Sequence, residues 1–265
     1  MDNLQKEVAP EGTTTIKNST SIISPLLSAL QWNEYWNAQT LKVMMGESKK
    51  PIAKPYDIVP GKWVRASMLD AAAITTYFNA FKESDSPNWG IWCGEPIARI
   101  VVIDIDVKNG ARGMDSYRHL KDYLHANDGL ELWAKLTKAP VIRTPSGGYH
   151  IYLICAPGYD ISATMHDIGK YGGIDFQRVG SYVLGLGSTI NGVQYIRVSG
   201  QTSDPLTADE ITEADNVIIE SMADWVLTED EMRMLDDGLA AASGKKKLKK
   251  DPATVKVGER DAQIF

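Results

Sequence analysis

Apolar and polar positions alternate between two periods along this chain. The polar, turn-rich residues 1–20 predict a loose N-terminal arm, and aromatic and aliphatic residues between Pro25 and Gly46 predict mixed packing elements. Ser67 and Asp70 open an apparent capping box, and Ile74, Tyr77, Phe78 and Phe81 continue at helical spacing through residue 83. Short strands are predicted over Trp89–Trp92 and Ile100–Val107, then a helix from Met114 to Asp128 after the glycines at 110 and 113. Strand-like runs follow over Pro140–Arg143, His150–Cys155, 172–178, 181–187 and 193–200, broken by turns such as Ser146-Gly147-Gly148. A last helix is predicted from Met222 to Leu239, ahead of the basic run at 244–250. Strands cluster in the middle and helices flank them, which predicts an α+β architecture.

Composition narrows the class. The chain has 265 residues, 43% of them hydrophobic and 23% charged, as in an ordinary globular protein. No run is long and apolar enough to cross a bilayer, and the N-terminus lacks a signal-peptide layout, so no membrane role and a cytoplasmic location are expected. Cys93 and Cys155 match no zinc spacing and are expected as buried free thiols in a reducing compartment. A net charge of −6 argues against a nucleic-acid-coated surface but leaves room for one basic groove.

The chemistry begins in the run Val-Val-Ile-Asp-Ile-Asp-Val at 101–107. Side chains alternate along a strand, so Asp104 and Asp106 face one way while Ile103, Ile105 and Val107 face the other. Paired carboxylates with no cation between them repel, and hard divalent ions such as Mg²⁺ or Mn²⁺ suit an all-oxygen donor set. The pair alone, a short and common pattern, is better explained by an exposed strand face with two solvated acids. Two further features accompany it. Ser146, Gly147 and Gly148 can bring backbone N–H groups and a hydroxyl to an anion, with His150 opening the next strand; a plain hairpin turn is the alternative. Asp175 is again a lone acid in an apolar strand, placed as a third ligand or as a simple edge acid. Three carboxylates and a phosphate-side histidine together describe a two-metal nucleotidyl-transfer site.

The residues that carry this constellation are NWGIWCGEPIARIVVIDIDVKNGARG (88–113), TPSGGYHIYL (144–153) and GIDFQRVGSYVLGLGST (173–189). In order and spacing they resemble the three motifs of the bifunctional DNA primase/polymerase family, within the archaeo-eukaryotic primase superfamily. Weaker likeness extends upstream to Lys49-Lys50-Pro51. The resemblance implies an archaeo-eukaryotic primase catalytic core, an N-terminal α/β module plus an RRM-like sheet module. It implies Asp104, Asp106 and Asp175 as ligands of two divalent ions and His150 as the contact to the nucleotide phosphates. Ser146, Gly147 and Gly148 would support that histidine. Arg143 and Arg178, beside the second and third motifs, and Ser188, closing the third, are candidate nucleotide contacts; Lys108 and Arg112 are further basic candidates for the cleft.

The chain departs from the family's pattern in three ways. Asp106 stands where many relatives carry Glu, Gly148 where many carry Ser, and there are no cysteines for a zinc insertion, so no zinc is expected. The implied partners are a single-stranded DNA template, a primer and nucleoside triphosphates. The implied organisation is an arm over 1–22, a catalytic domain over 23–240, and from 241 to 265 a basic linker opening a further helical domain, with a helicase domain possible downstream in a phage or plasmid replication protein. A metal-dependent nuclease or phosphohydrolase would use the same acids. An RRM-like binding module would instead stack bases on Tyr149, Tyr152 or Tyr182.

Overall fold

In the computed structural model the described residues are 26–30, 40–42, 49, 72, 75, 88–94, 99–199, 212–213 and 225–241. The expected arm, the basic run after 241 and most of the 67–83 helix lie outside them; Ala72 and Thr75 are helical. The strands are β1 (Thr40–Lys42), β2 (Trp89–Trp92), β3 (Ile100–Ile105), β4 (Val141–Arg143), β5 (Tyr149–Cys155), β6 (Met165–Ile168), β7 (Ile174–Gln177), β8 (Tyr182–Leu184), β9 (Thr189–Ile190), β10 (Val193–Gln194), β11 (Ile196–Ser199), β12 (Thr212–Glu213) and β13 (Val226–Leu227). The longer helices are α1 (Gly113–Ala126), α2 (Leu130–Lys138) and α3 (Glu229–Ala241).

The main sheet runs β12-β11-β4-β5-β3-β7-β6, with β13 added to β5. Its four middle strands, β4-β5-β3-β7, are antiparallel throughout, and the two strands first and third in the chain lie side by side at the centre. That is the strand order of an RRM-like sheet. The α+β class expected from the sequence is therefore present. In place of a second crossover helix between β5 and β7 the chain inserts edge strand β6, and α3 arrives from the C-terminal side to pack beside α1.

One face of this sheet is sealed by helices because their apolar residues fall on single stripes. Tyr117, Leu120 and Leu124 of α1 are fully buried, as are Leu136 of α2 and Met232, Leu235 and Leu239 of α3. Trp133 of α2 leans on Tyr117 with ring centroids 5.3 Å apart. Gly238 lets α3 approach α1: a Cβ there would stand 2.7 Å from Leu120 Cδ1. The other face is partly covered by the three-stranded sheet β1-β2-β8, where Tyr152 Oη of β5 donates to Leu184 O of β8 at 3.4 Å.

Four elements differ from expectation. β3 ends at Ile105: the Asp106 N–H still donates to Gly173 O (2.8 Å), in register with the ladder, and a 3-10 turn then follows at Lys108–Gly110. The final helix begins at Glu229 rather than Met222, since Val226 and Leu227 extend in parallel beside Ile154 and Cys155. α2 and β6 were not foreseen. Leu132, Trp133 and Leu136 carry a helical stripe, but β6 (Met-His-Asp-Ile) is an exposed edge strand without apolar alternation. Both cysteines are buried free thiols, and no helix among the described residues is long and apolar enough to cross a membrane.

Candidate functional site

The antiparallel register sets one row of side chains across the open end of the sheet. Asp104 of β3 pairs directly with His150 of β5 on one side and Asp175 of β7 on the other. Directly opposed residues share a face, so the three project together. Their neighbours Ile103, Ile105, Ile151 and Phe176 point to the helices and are fully buried. Alternation along β3 thus separates anchoring isoleucines from the acid.

Asp104 is the electrostatic centre. Burial, then the charges of Asp106 and Asp175, raise its pKa to about 7, against a weaker opposite pull from Lys108 and Lys49. Gln177 Nε2 donates to its Oδ2 at 3.5 Å. His150 Nε2 lies 3.5 Å from Asp104 Oδ1, yet this is not an ion pair. Burial, with Lys49 and Lys108 nearby, lowers the imidazole pKa to about 3 and keeps the ring neutral. Tyr152 Oη lies 3.4 Å from its Nδ1, and the Tyr195 ring lies 5.6 Å away.

The other two acids are engaged locally. Lys108 Nζ holds Asp106 Oδ1 at 3.0 Å, and that bond raises the lysine's pKa. Asp175 accepts the Asp167 N–H (2.8 Å) on Oδ1 and meets His166 Nδ1 (3.0 Å) on Oδ2. With these side chains as they stand, no three His, Cys, Asp or Glu among the described residues converge on one point as a metal cluster. Their charges nevertheless reach one another and add to the burial that makes Asp104 hard to ionise. An oxygen-only set carrying this repulsion fits a hard divalent cation once Asp106 turns from Lys108.

The turn before His150 is built by close approach. Thr144 N–H donates to Gly148 O (2.8 Å) and Gly147 N–H to Thr144 O (2.9 Å), so the Gly147 amide is spent inside the turn. A Cβ on Gly148 would stand 2.3 Å from Ile105 O, so only glycine lets the turn lie against the end of β3. Ser146 is exposed and shares a 3.0 Å hydrogen bond with Thr144.

Three expected nucleotide contacts are elsewhere. Arg178 shares the parity of Ile174 and Phe176 and is fully buried on the helix side of the sheet. There it pairs with Asp236 of α3, donates to Ser162 Oγ (2.8 Å) and stacks on Phe176 at 4.0 Å. Arg143 falls in the row of Tyr149, Ile105 and Ile174, again opposite to the acids. Ser188 is fully buried, donating to Trp89 O (3.1 Å) and accepting from Trp89 N (3.2 Å), which fastens the 189–194 hairpin to β2.

The structure adds residues the sequence did not single out for the site. Lys49 stands 5.9 Å from the Tyr195 ring centroid, and its backbone carbonyl accepts from Tyr182 Oη at 2.6 Å. Partial desolvation, then Lys108, lower its pKa, while Asp104 and Asp106 pull the other way, which locates its ammonium beside the acids and His150. Lys49 lay within the upstream Lys-Lys-Pro likeness, the one signal that pointed to it. Gln177 shares the face of Asp175 by simple alternation, a signal the sequence carried, whereas Tyr195 and His166 reach the row only through the folded chain, beside His150 and Asp175.

The amino-acid sequence matches the family description "Bifunctional DNA primase/polymerase, N-terminal" over residues 33–216. That span holds every residue of the row and Lys49. No curated protein matches the chain.

Proposed function

The chain belongs to the bifunctional DNA primase/polymerase family, with the primase-polymerase type of nucleotidyl transfer that this implies, and we propose a template-directed reaction centred on the row Asp104–His150–Asp175. A primer 3′-hydroxyl would attack the α-phosphate of an incoming nucleoside triphosphate, losing its proton to solvent as the α–β phosphoanhydride bond breaks and pyrophosphate leaves, with the strand and the nucleotide both lying over the open end of β3, β5 and β7. The observation that carries this reading is the direct cross-strand placement of Asp104 between His150 and Asp175, with Asp106 one step beyond.

Asp104, Asp106 and Asp175 would hold Mg²⁺ or Mn²⁺, which supplies Lewis-acid stabilisation of charge at the phosphate and a more acidic attacking hydroxyl. The remaining work falls to this chain's own groups. Neutral His150 serves as a hydrogen-bond donor to a phosphate oxygen and carries no charge into the site. Lys49 supplies the charge, as an ammonium on the same side as His150. Lys108 neutralises Asp106 and is the group displaced when that acid turns inward. Gln177 and the backbone N–H of Asp167 fix the carboxylates of Asp104 and Asp175.

Incubation with primed and unprimed single-stranded templates, nucleotides and Mg²⁺ or Mn²⁺ tests the proposal. Extended product that disappears in Asp104→Asn and Asp175→Asn, with both variants folded, is the expected result. Template degradation without incorporation would instead indicate a nuclease. Activity that survives both substitutions would remove the acids from the chemistry.

A further inference from the structure

Beside the acid row, one exposed aromatic ring is fastened to the fold by its backbone. Tyr171 lies at the tip of the β6–β7 hairpin and is 41% exposed. Its N–H donates to Ser116 Oγ (2.9 Å), and the same hydroxyl donates to Gly172 O (2.8 Å). Ser116 is fully buried in the first turn of α1. Gly169, at φ +89°, lies so close that a Cβ would stand 2.5 Å from Ser116 Cβ. The hairpin tip is thus pressed onto a helix, and the backbone that carries the ring is held in place.

Two cations attend that ring. The Arg112 guanidinium carbon lies 4.1 Å from the ring centroid and Lys170 Nζ 5.3 Å. Asp115 takes Arg112 Nε at 2.8 Å and steadies the guanidinium. Lys170 is exposed. The cluster is continuous with the acids through the backbone: Gly173, two residues after Tyr171, accepts the Asp106 N–H, and Gly113, next to Arg112, donates to Asp106 O at 3.1 Å. An exposed aromatic ring with adjacent cations, set beside a phosphoryl-transfer site, is the chemistry that recognises unpaired bases and their phosphates. Lys49 and His150 lie on the opposite flank of Asp104, toward β5, so the two flanks would divide nucleotide from strand.

We propose that Tyr171, Arg112 and Lys170 form a stacking platform for single-stranded DNA, one base on the Tyr171 ring and the adjoining phosphates on Arg112 and Lys170. The identity of the strand rests on the polymerase reading above; the platform itself rests on the hairpin geometry. Stacking demands a free base face, so the platform discriminates against duplex DNA.

Fluorescence anisotropy with a labelled oligo-dT of about 16 nucleotides tests it on the full chain. Tyr171→Ala is expected to weaken binding about tenfold, and Tyr171→Trp to retain it. Lys170→Gln is expected to flatten the slope of log affinity against log salt by about 0.7. Unchanged affinity in Tyr171→Ala, or an equal loss on duplex DNA, would overturn the platform. If Tyr171→Ala melts early, Lys170→Gln decides, and an unchanged salt slope overturns the proposal. Asp104→Asn separates the two readings: it should extend nothing, and adding Tyr171→Ala in that background should still weaken oligo-dT binding about tenfold. A wild type that extends nothing, yet loses oligo-dT binding in Tyr171→Ala, sinks the polymerase reading and leaves the platform standing.

Discussion

Replacing Asp104 by Asn should stabilise this protein in metal-free buffer at neutral pH, although Asp104 is the centre of its chemistry. The side chain is 20% exposed and its pKa is raised from 3.8 to about 7 by burial and by Asp106 and Asp175. A carboxyl whose pKa is higher folded than unfolded binds its proton more tightly in the native state. Its contribution to stability is complete below the unfolded pKa and declines as pH rises from about 4 to about 7, where the native protein must accept an unwanted charge. A shift of about three pKa units corresponds to about 4 kcal/mol as an upper limit. Solvent reaching the exposed part screens some of this, so about 2 kcal/mol is the working expectation. Asn keeps the shape and can still accept from Gln177, so little is lost in exchange. For a chain of this size that is about 4–8 °C in melting temperature.

The assay is thermal unfolding of wild type and Asp104→Asn in EDTA across this pH range. The advantage of the variant should grow between about pH 4 and pH 7 and level off above it. Mg²⁺ should then narrow the gap by stabilising the wild type alone. A variant no more stable than wild type at neutral pH, or an advantage equally large near pH 4, would refute the electrostatic account of the acid row.

Four other outcomes follow from the same geometry. Arg178→Ala, which empties a buried site and takes the cation from half-buried Asp236, should cost about 3 kcal/mol in denaturant unfolding, while the nucleotide KM of the folded fraction stays unchanged. Lys49→Ala, read by steady-state extension kinetics, should raise the nucleotide KM at least as much as it lowers kcat. Gly148→Ala should destabilise by about 1–3 kcal/mol in thermal melts, because Ile105 O occupies the space its methyl needs. Cys93 and Cys155, whose thiol pKa values burial pushes up to about 12 and about 11, should react with a thiol reagent near pH 8 only as the protein unfolds.

Much of the site was legible because period-two alternation is a local property. Asp104 could be separated from Ile103 and Ile105 with no knowledge of partner strands, and the same rule extends to Asp175 between Ile174 and Phe176. It also held the correction for Arg178, which stands three residues from Asp175 and so on the opposite face. Arg143 was not decidable in this way. Its side follows from the pairing of β4 with β5, and register is a non-local quantity. Asp106 still takes the next rung of the ladder, from its N–H to Gly173 O, and the strand gives way to the turn at Lys108–Gly110 just after it. β6 was missed because an exposed edge strand has no buried face to impose a pattern, and Ser188 because a buried hydroxyl serving Trp89 has the same sequence appearance as a ligand contact.

The C-terminal return of the chain to β5 carries a consequence for synthesis. β4 pairs only with the first part of β5, at Tyr149–Ile151, and β13 takes the last part, at Ile154 and Cys155. Trp225, Leu227, Met232, Leu235 and Leu239, all within 1% of full burial, close the core after that return. As the polypeptide leaves the ribosome, the acids and histidine of the row emerge well before the segment that completes the strand behind them. The nascent domain therefore carries an uncovered strand end and an open helix face until residue 241 is free. Closure of this core waits on α3, and a chain released at residue 216, where the family likeness ends, would lack the part that closes it.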